Sequence, residues 1–459
     1  MPVMRPIGLL ALYVLSTAAA VAQTSWMPII PNRAIYGLAV NPQNPRTVFA
    51  GNMARTLFRS TDGGSTWEEL SVQSSGGSSL MSCLLIHPAD TNVVLAAGIG
   101  FDGIDRSTDE GVTWQNVLRD PSGFRMEFVG ESIVPHPAEP DTMYAIRNAP
   151  GIVYRSTDRG ETWDSLSAVP TAVGTDRFRA ITVAPDSTNI VLVGGRVAFM
   201  YRSTDGGRTF VRGPRLTGHP DSEVSLFRWS PTTPGTVYAT VQYSLAQNVT
   251  NAGLMMSTDW GVTWTRIAHK DVSLYALEVL RGATPTDADI IFVGGNQPPL
   301  SPAQIMGDSL AFRSVDGGGT WQEINDVPWT ENEVMETNTN VWAIRKIEHQ
   351  GAEAIMLASE AGAFLSSPLA TVRHATSDDN ASPLRVRMAP DGLITLLFEG
   401  GDGAATVDLL AVDGGLVGSF PVTLHQGIAR VHPHGLASGV YIVALRHATG
   451  TASARILRY

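Results

Sequence analysis

Acidic side chains in loop segments are the residues of this sequence best suited to catalysis. Four segments between apolar runs, 98–105, 243–253, 295–310 and 325–340, hold the carboxylates Asp102, Asp105, Asp308, Glu331, Glu333 and Glu336. Two carboxylates that converge on one bond can act as the acid and the base or nucleophile of glycoside cleavage. Trp329 adds a stacking surface to the last segment. The alternative is that these acidic groups are only solvated, and the sequence leaves both interpretations open.

Other kinds of chemistry find less support in the sequence. Cys83 is the single cysteine, which excludes intramolecular disulfides and multi-cysteine metal sites, and its apolar surroundings predict a buried thiol. The ten histidines are scattered, and we find no glycine-rich phosphate loop and no G-x-S-x-G motif. A net charge of −11 argues against a nucleic-acid-binding surface. We therefore expect neither a metal nor a cofactor, and no nucleic-acid partner.

An eight-residue pattern, S-x-D-x-G-x-T-W, organises most of the chain. Six copies recur at intervals of 47 to 57 residues, with Phe210 in place of the tryptophan in the fourth copy. Their aspartates are Asp62, Asp109, Asp158, Asp205, Asp259 and Asp316. An aspartate followed by glycine predicts a tight turn, because the carboxylate accepts backbone N–H groups and glycine tolerates positive φ. One such turn per repeat cannot converge on a single substrate, so we interpret the six aspartates as structural.

Each repeat also contains four short apolar runs, as expected for one blade of a β-propeller. The composition agrees, since 45 glycines and only 16% charged residues favour strands and turns over long helices. A seventh repeat at 341–367 lacks the aspartate, and residues 24–30 resemble its missing outer strand. We therefore predict an all-β, seven-bladed propeller over residues 24–370, closed by its own N-terminal strand so that no sheet edge stays open.

The S-x-D-x-G-x-T-W motif resembles the Asp-box (BNR) repeats of sialidases, the sortilin luminal domain, xyloglucanases and photosystem II assembly factors. The resemblance covers about three quarters of the chain and implies the propeller fold, which carries enzymes and pure binding modules alike. The F/Y-R-I-P motif of sialidases is absent. The xyloglucanase-type enzymes use two propellers, whereas this chain has length for one.

The remaining segments predict export. Residues 1–22 combine Arg5, an apolar run and the ending Ala20-Val21-Ala22, which is typical of a cleaved secretory signal peptide, with no membrane span after cleavage. Residues 371–382 are polar and read as a linker, and 383–459 predict a small immunoglobulin-like β-sandwich.

The stretch Leu436–Val443, with the pattern L-x-x-G-x-Y-x-V, and the terminal run 454–459 resemble the type A sorting domain of the type IX secretion system of Bacteroidota. The family's terminal run is often lysine-rich, whereas Arg455 and Arg458 stand here. An ordinary carbohydrate-binding or immunoglobulin-like sandwich is the alternative. The resemblance implies that the secretion machinery binds 383–459 and delivers the protein outside the cell or onto the outer-membrane surface.

Two functions remain open from the sequence. The first is a secreted or surface-displayed module that binds protein or polysaccharide through its loop face. The second is a glycoside hydrolase, sialidase- or xyloglucanase-like, with a carboxylate site at the channel mouth. An active site would lie on the face opposite the Asp-box turns, where the loops between second and third strands and between blades surround the channel.

Overall fold

The structure, a computed structural model, describes most of the chain from Trp26 to Arg458. Its described residues are 26–53, 55–72, 80–119, 130–170, 177–217, 222–243, 252–269, 272–282, 284, 287–296, 311–324, 327, 340–366, 384–388, 394–398, 403–411, 416–424, 428–431, 439–447 and 450–458. Every regular element in these ranges is a β-strand, and no helix long and apolar enough to cross a membrane occurs among them. The chain divides into two compact units, Met1–Thr371 and Val372–Tyr459.

The first unit contains seven four-stranded antiparallel sheets, which confirms the predicted seven-bladed propeller. In blades 1 to 6 the strands pair in chain order from the inner strand to the outer one. The first three blades comprise β2 (Ile35–Val40), β3 (Val48–Asn52), β4 (Thr56–Ser60), β5 (Glu68–Ser71); β6 (Leu80–Ile86), β7 (Val94–Ile99), β8 (Ile104–Ser107), β9 (Gln115–Leu118); and β10 (Ile133–Pro135), β11 (Met143–Ile146), β12 (Ile152–Ser156), β13 (Asp164–Ala168).

Blades 4 to 6 repeat this order. They comprise β14 (Phe178–Val183), β15 (Val191–Gly195), β16 (Phe199–Ser203), β17 (Val211–Arg215); β18 (Ser222–Trp229), β19 (Val237–Tyr243), β20 (Gly253–Ser257), β21 (Thr265–Ala268); and β22 (Ser273–Leu280), β23 (Ile290–Asn296), β24 (Ala311–Ser314), β25 (Gln322–Glu323).

Blade 7 joins the two ends of the propeller. It combines β26 (Val341–His349), β27 (Ala352–Ser359) and β28 (Gly362–Ser366) with the N-terminal strand β1 (Trp26–Pro31). Strand β1 pairs antiparallel with β28, from Trp26 opposite Ser366 to Pro31 opposite Gly362. The prediction that residues near the N-terminus complete the last blade is therefore confirmed, and the pairing covers a sheet edge that would otherwise stay exposed.

The hydrophobic core lies between neighbouring blades. One cluster joins Phe49 and Leu57 of blade 1 to Met81 and Val94 of blade 2, and equivalent clusters occupy the other interfaces. Burying each such side chain contributes about 1.5–3 kcal/mol. Face-to-face packing of the sheets therefore fixes the ring and holds the inner strands around a central channel.

The second unit contains two antiparallel sheets. The three-stranded sheet has the order β29 (Leu384–Met388), β30 (Ile394–Phe398), β33 (Ile428–Val431). The four-stranded sheet has the order β32 (Leu416–Leu424), β31 (Gly403–Ala411), β34 (Gly439–His447), β35 (Gly450–Arg458). The segments 1–22 and 371–382, to which the sequence assigns a signal peptide and a linker, lie outside the described residues.

Candidate functional site at the channel mouth

The six Asp-box turns close on themselves. In each, the aspartate Oδ1 accepts the serine hydroxyl at 2.7–2.8 Å and the threonine backbone N–H at 2.8–2.9 Å, while Oδ2 accepts the threonine hydroxyl at 2.5–2.7 Å. Although burial favours the neutral acid at most of these sites, the hydrogen bonds hold the pKa of the aspartates below its ordinary value, for Asp62 at about 2. Both oxygens of each carboxylate thus accept hydrogen bonds from the same turn, as expected for a structural role.

The arginine before the motif links neighbouring blades. Arg59 donates to the backbone carbonyl of Glu110 at 3.0 Å, Arg106 to that of Arg159 at 3.0 Å, and Arg202 to that of Trp260 at 2.9 Å. Each acceptor directly follows the box aspartate of the next blade. Arg59, Arg106 and Arg202 thus each tie one Asp-box turn to the turn of the next blade.

Asp102 and Asp105 are engaged in local contacts away from the channel. Arg119 Nε donates to Asp102 Oδ2 at 2.9 Å, and Asn116 Nδ2 donates at 2.9 Å both to the backbone carbonyl of Asp102 and to Asp105 Oδ1. The expectation that Asp105 lies in a loop was wrong, because β8 begins at Ile104, directly after Gly103 turns the chain at a φ of 97°. Neither carboxylate lines the cavity described below.

The other sequence-derived candidates are not placed by the structure. Trp329, Glu331, Glu333 and Glu336, together with Asp308, lie outside the described residues. Among the residues that are described, no group of three or more histidine, cysteine or acidic side chains could hold a metal ion. Cys83 is buried, and burial raises the pKa of its thiol to about 11, so it is a poor nucleophile.

A cavity of about 520 Å³ opens at the end of the channel where the inner strands begin. The turn after each inner strand lies at the other end of the channel, together with the Asp boxes. The evidence is that the backbone N–H groups of the box residues Gly63 and Trp260 donate to the carbonyls of Arg46 and Gly235 in these turns. The cavity therefore lies on the face opposite the Asp boxes, which is the face expected from the sequence. Its volume falls within the range of small-molecule sites.

One side chain from every blade lines this cavity at an equivalent position. We name these seven residues the channel ring: Tyr36, Ser82, Glu131, Arg179, Ser225, Tyr275 and Trp342. In six blades the inner strand carries a register shift at or beside the ring residue. Such a β-bulge re-aims a side chain relative to the pleat. In blade 3 the inner strand starts only at Ile133, and Glu131 precedes it.

The aromatic members of the channel ring are contiguous. The ring centroid of Trp342 in blade 7 lies 5.5 Å from that of Tyr36 in blade 1 and 4.7 Å from that of Tyr275 in blade 6, with interplanar angles of 49° and 45°. All three side chains are only partly buried. Together they form a platform, defined as Tyr36, Trp342 and Tyr275, on which a flat ligand surface can pack.

Three arginines of blade 4 stand on the other side of the cavity. Arg177 and Arg179 come from the start of the inner strand, and Arg196 from the turn after the second strand. Arg179 Nε donates to Glu223 Oε2 at 2.7 Å, and Gln242 Nε2 donates to the same oxygen at 2.7 Å. We name Arg177, Arg179 and Arg196 the arginine wall. Glu223 is held as an ion-paired, hydrogen-bonded carboxylate.

Glu131 enters the channel and joins three further charges. Its carboxylate pairs with Arg228 of blade 5, where Nη2 lies 2.6 Å from Oε1, and with Arg345 of blade 7. Glu278 Oε2 lies 3.7 Å from Arg228 Nε and 3.9 Å from Arg345 Nη1. Burial disfavours the charged form of Glu131, but the two guanidinium groups lower its pKa to about 2. A glutamate in this state is a poor proton donor at neutral pH.

Gly130 allows the chain before blade 3 to pass close to blade 4, next to Glu131. Its N–H donates to the Ser82 hydroxyl at 3.2 Å, its φ is 67°, and a Cβ there would lie 3.2 Å from the carbonyl oxygen of Arg179. A larger residue would be strained in this conformation and crowded against blade 4.

Glu360 is the one described acid near the cavity with a raised pKa. It lies in the turn between β27 and β28, where the backbone N–H and Nδ2 of Asn340 donate to its two oxygens at 2.5 and 2.6 Å. Burial raises the pKa of Glu360 and outweighs these hydrogen bonds. A carboxyl with a raised pKa is the kind of group that can serve as a general acid.

Sequence reasoning missed the channel ring, although a signal for it exists. In the first five blades the ring residue stands six positions before the proline of the following turn, which is Pro42, Pro88, Pro137, Pro185 or Pro231. Tyr275 and Trp342 occupy the same register in the two blades that lack this proline. Aligning the repeats on their prolines places the channel-ring residues at one position. At that position the residue type differs from blade to blade, whereas the strands around it are similar.

Comparison with known proteins supports the fold. The family model described as "Sortilin, neurotensin receptor 3" matches residues 102–212. No curated protein matches this chain. Among solved structures, an ancestral GH74 enzyme aligns with a TM-score of 0.56 at 14% identity, covering 95% of this chain and 64% of the enzyme.

Two further solved structures have the same fold. The GH74 xyloglucanase of Xanthomonas campestris aligns with a TM-score of 0.56 at 15% identity, over 94% of this chain and 67% of that one. YCF48 bound to D1 peptide aligns with a TM-score of 0.50 at 17% identity, over 76% and 96% of the two chains. At these identities the likeness shows the fold alone: the protein is a seven-bladed β-propeller, similar in fold to GH74 enzymes and to YCF48.

Proposed function

We propose that this protein is a secreted or cell-surface binding module that holds a protein or polysaccharide ligand at the channel mouth. The observation that carries the proposal is the channel ring, which sends one side chain per blade into a cavity of about 520 Å³. In six blades a β-bulge at or beside the ring residue re-aims its side chain relative to the pleat. The resulting mouth has the aromatic platform on one side and the arginine wall on the other. Large aromatic and arginine side chains are those that dominate binding energy at recognition sites.

The charged groups of the cavity favour binding over hydrolysis. Its two described carboxylates, Glu131 and Glu223, both pair with arginines. A retaining or inverting glycosidase needs one carboxyl that donates a proton and one that is free to act as base or nucleophile. The guanidinium groups of Arg228 and Arg345 lower the pKa of Glu131, which makes its carboxylate a weak base. YCF48 bound to D1 peptide, a protein of similar fold, supports the idea that such a propeller serves as a binding module.

A glycoside hydrolase is the second candidate, on one specific observation. Glu360 combines a raised pKa with a position beside Trp342, and proteins of similar fold include a xyloglucanase. In this alternative Glu360 is the general acid, and the partner carboxylate comes from the sequence-derived candidates Glu331, Glu333 and Glu336.

One experiment separates the two candidates. The full chain is incubated with a panel of polysaccharides and surface proteins, and both retention and release of reducing ends are measured. Retention without new reducing ends supports the binding module. Turnover that is lost in Glu360→Gln and kept in Glu353→Gln, an exposed glutamate paired with Lys346, supports the hydrolase.

Export by the type IX secretion system is part of the same proposal. Residues 1–22 would direct the chain across the inner membrane, and 383–459 would form an immunoglobulin-like sandwich that the secretion machinery recognises. The two described sheets of this region and the Leu436–Val443 motif support that assignment. Deleting 383–459 should retain the protein in the periplasm, whereas Trp342→Ala in the full chain should reach the surface normally. Unaltered export of the deletion variant would contradict the sorting role.

A further inference from the structure

The channel ring has two chemically different sides, which face each other across the channel. In blade order its members are Tyr36, Ser82, Glu131, Arg179, Ser225, Tyr275 and Trp342. The aromatic platform thus occupies blades 6, 7 and 1, and Arg179 in blade 4 lies directly across the channel from it. Serine hydroxyls flank the platform on both sides, in blades 2 and 5. A ligand that fills the cavity meets aromatic faces on one side and guanidinium groups on the other.

The arginine side of the cavity carries an excess of positive charge. Three arginines of blade 4, Arg177, Arg179 and Arg196, line this side together with one glutamate, Glu223, whereas Arg345 of blade 7 belongs to the ion-pair cluster with Glu131 and Glu278. This local excess stands in a protein whose net charge is −11. A cationic cleft in an acidic protein focuses the potential at its mouth and selects anionic ligands, while the rest of the surface repels them.

Planar guanidinium groups favour one kind of anion. Arginine matches the two oxygens of a carboxylate in a bidentate geometry, and it is more weakly hydrated than lysine. Arg177 is exposed at the cavity and is therefore placed to meet a ligand that enters from solvent. The arginine wall thus fits a carboxylate at the edge of the ligand.

The aromatic platform fits the face of a sugar ring. Tyrosine and tryptophan present an apolar face that can pack against the C–H groups of a sugar, and each tyrosine adds an O–H at its edge that can bond hydroxyls. The Tyr36 and Tyr275 rings are inclined to the Trp342 ring by 49° and 45°. Ser82 adds a hydroxyl group to the lining, whereas the Ser225 hydroxyl and the Gln242 amide there donate to the Leu274 carbonyl and to Glu223.

We infer that the channel mouth binds a uronic acid unit of an acidic polysaccharide, with the sugar face on the platform of Tyr36, Trp342 and Tyr275 and the carboxylate against Arg177, Arg179 and Arg196. This inference rests on the proposed binding function and names its ligand class. The bond to the ligand is non-covalent, and the ring does not need a catalytic carboxylate for it.

The test compares ligands that differ only in charge. The full chain is titrated calorimetrically with tetragalacturonate, with its methyl ester and with a tetraglutamate peptide, at low and high salt. We expect tetragalacturonate to bind at least about tenfold more tightly than the ester and to weaken with salt, because salt screens exposed charges. Arg177→Gln should remove this advantage. Arg46→Gln, an exposed arginine at the Asp-box face, should keep it.

Several results would overturn the inference. They are equal affinity for the acid and its ester, unchanged discrimination in Arg177→Gln, tighter binding of tetraglutamate than of the sugar, or no binding of tetragalacturonate. The proposed binding function has its own contradicting result. It fails if Trp342→Ala still retains every ligand of the wider panel that the wild type retains. If tetragalacturonate does not bind while binding of a neutral or peptide ligand is lost in Trp342→Ala, the binding site is retained and only the uronic acid is rejected.

Discussion

Glu131 and Arg345 form an ion pair across the central channel, although 214 positions separate them in the chain. The same carboxylate accepts two hydrogen bonds from Arg228, so the segment before blade 3 is tied to blades 5 and 7 at once. Four alternating charges from four blades therefore meet at the channel and complement the apolar contacts that hold adjacent blades together.

Removing the charge of Glu131 should destabilise the propeller. Glu131→Gln leaves Arg228 and Arg345 in a largely buried position with only Glu278 as a counter-charge, and we expect a loss of about 3 kcal/mol in the free energy of unfolding. Glu69→Gln is the control, because its pair with Arg33 is exposed and should contribute less than about 1 kcal/mol. Denaturant unfolding measures both, and equal losses would show that the charge cluster has no special role.

Stability should decline in acid below about pH 4. The box aspartates and Glu131 have lowered pKa values in the folded protein, Glu131 from 4.5 to about 2. The unfolded chain therefore takes up protons first, and the stabilisation present above the ordinary carboxyl pKa is lost as the pH falls toward 2. Thermal unfolding followed from pH 5 to pH 2.5 checks this, and a flat melting temperature over that interval would refute it.

His269 should make stability pH-dependent in a higher range. Burial lowers its pKa to about 4, and its ring packs 4.1 Å from that of Phe312 and 4.6 Å from that of Trp321. The unfolded chain binds a proton near pH 6.5, so stability falls by about 2 kcal/mol between pH 7 and pH 5.

The variant His269→Asn isolates this contribution. Asparagine tolerates the left-handed backbone at this position, where φ is 56°. The unfolding free energies of the variant should change less between pH 7 and pH 5 than those of the wild type. The same pH slope in both proteins would exclude His269 as the source.

The buried serine of an Asp box should matter more than an exposed one. Ser156 is 1% exposed, donates to Asp158 and accepts the N–H of Gly160 at 2.9 Å. Ser156→Ala leaves that buried N–H without its acceptor, which costs about 1–3 kcal/mol. Ser65→Ala removes an exposed hydroxyl from another box and should cost less than about 0.5 kcal/mol. Similar melting temperatures for the two variants would contradict the inward bonding of the motif.

The repeated features of this protein were predictable from sequence because they are local. The Asp-box turn is built from residues at most seven positions apart, and its geometry follows from one aspartate, one serine and one glycine. Ring closure by β1 was predictable for a related reason, since the seventh repeat lacked its outer strand and residues 24–30 supplied one.

The candidate site was less accessible to sequence reasoning. Glu131, Arg228 and Arg345 meet only after the ring has closed, and nothing local distinguishes them from other charged residues. Asp102 and Asp105 looked catalytic as loop carboxylates, yet their contacts are to Arg119 and Asn116. Trp329 and the glutamates 331, 333 and 336 stay predictions, because they lie outside the described residues.

The most direct test of the channel mouth as the binding site is a comparison of two tryptophan variants. Trp342 belongs to the aromatic platform, whereas Trp260 is 37% exposed at an Asp-box turn on the opposite face. Affinity for a retained ligand is measured by calorimetry for the wild type, Trp342→Ala and Trp260→Ala. We predict at least a tenfold loss of affinity in Trp342→Ala and wild-type affinity in Trp260→Ala. Unchanged binding by folded Trp342→Ala would contradict a ligand site at the channel mouth.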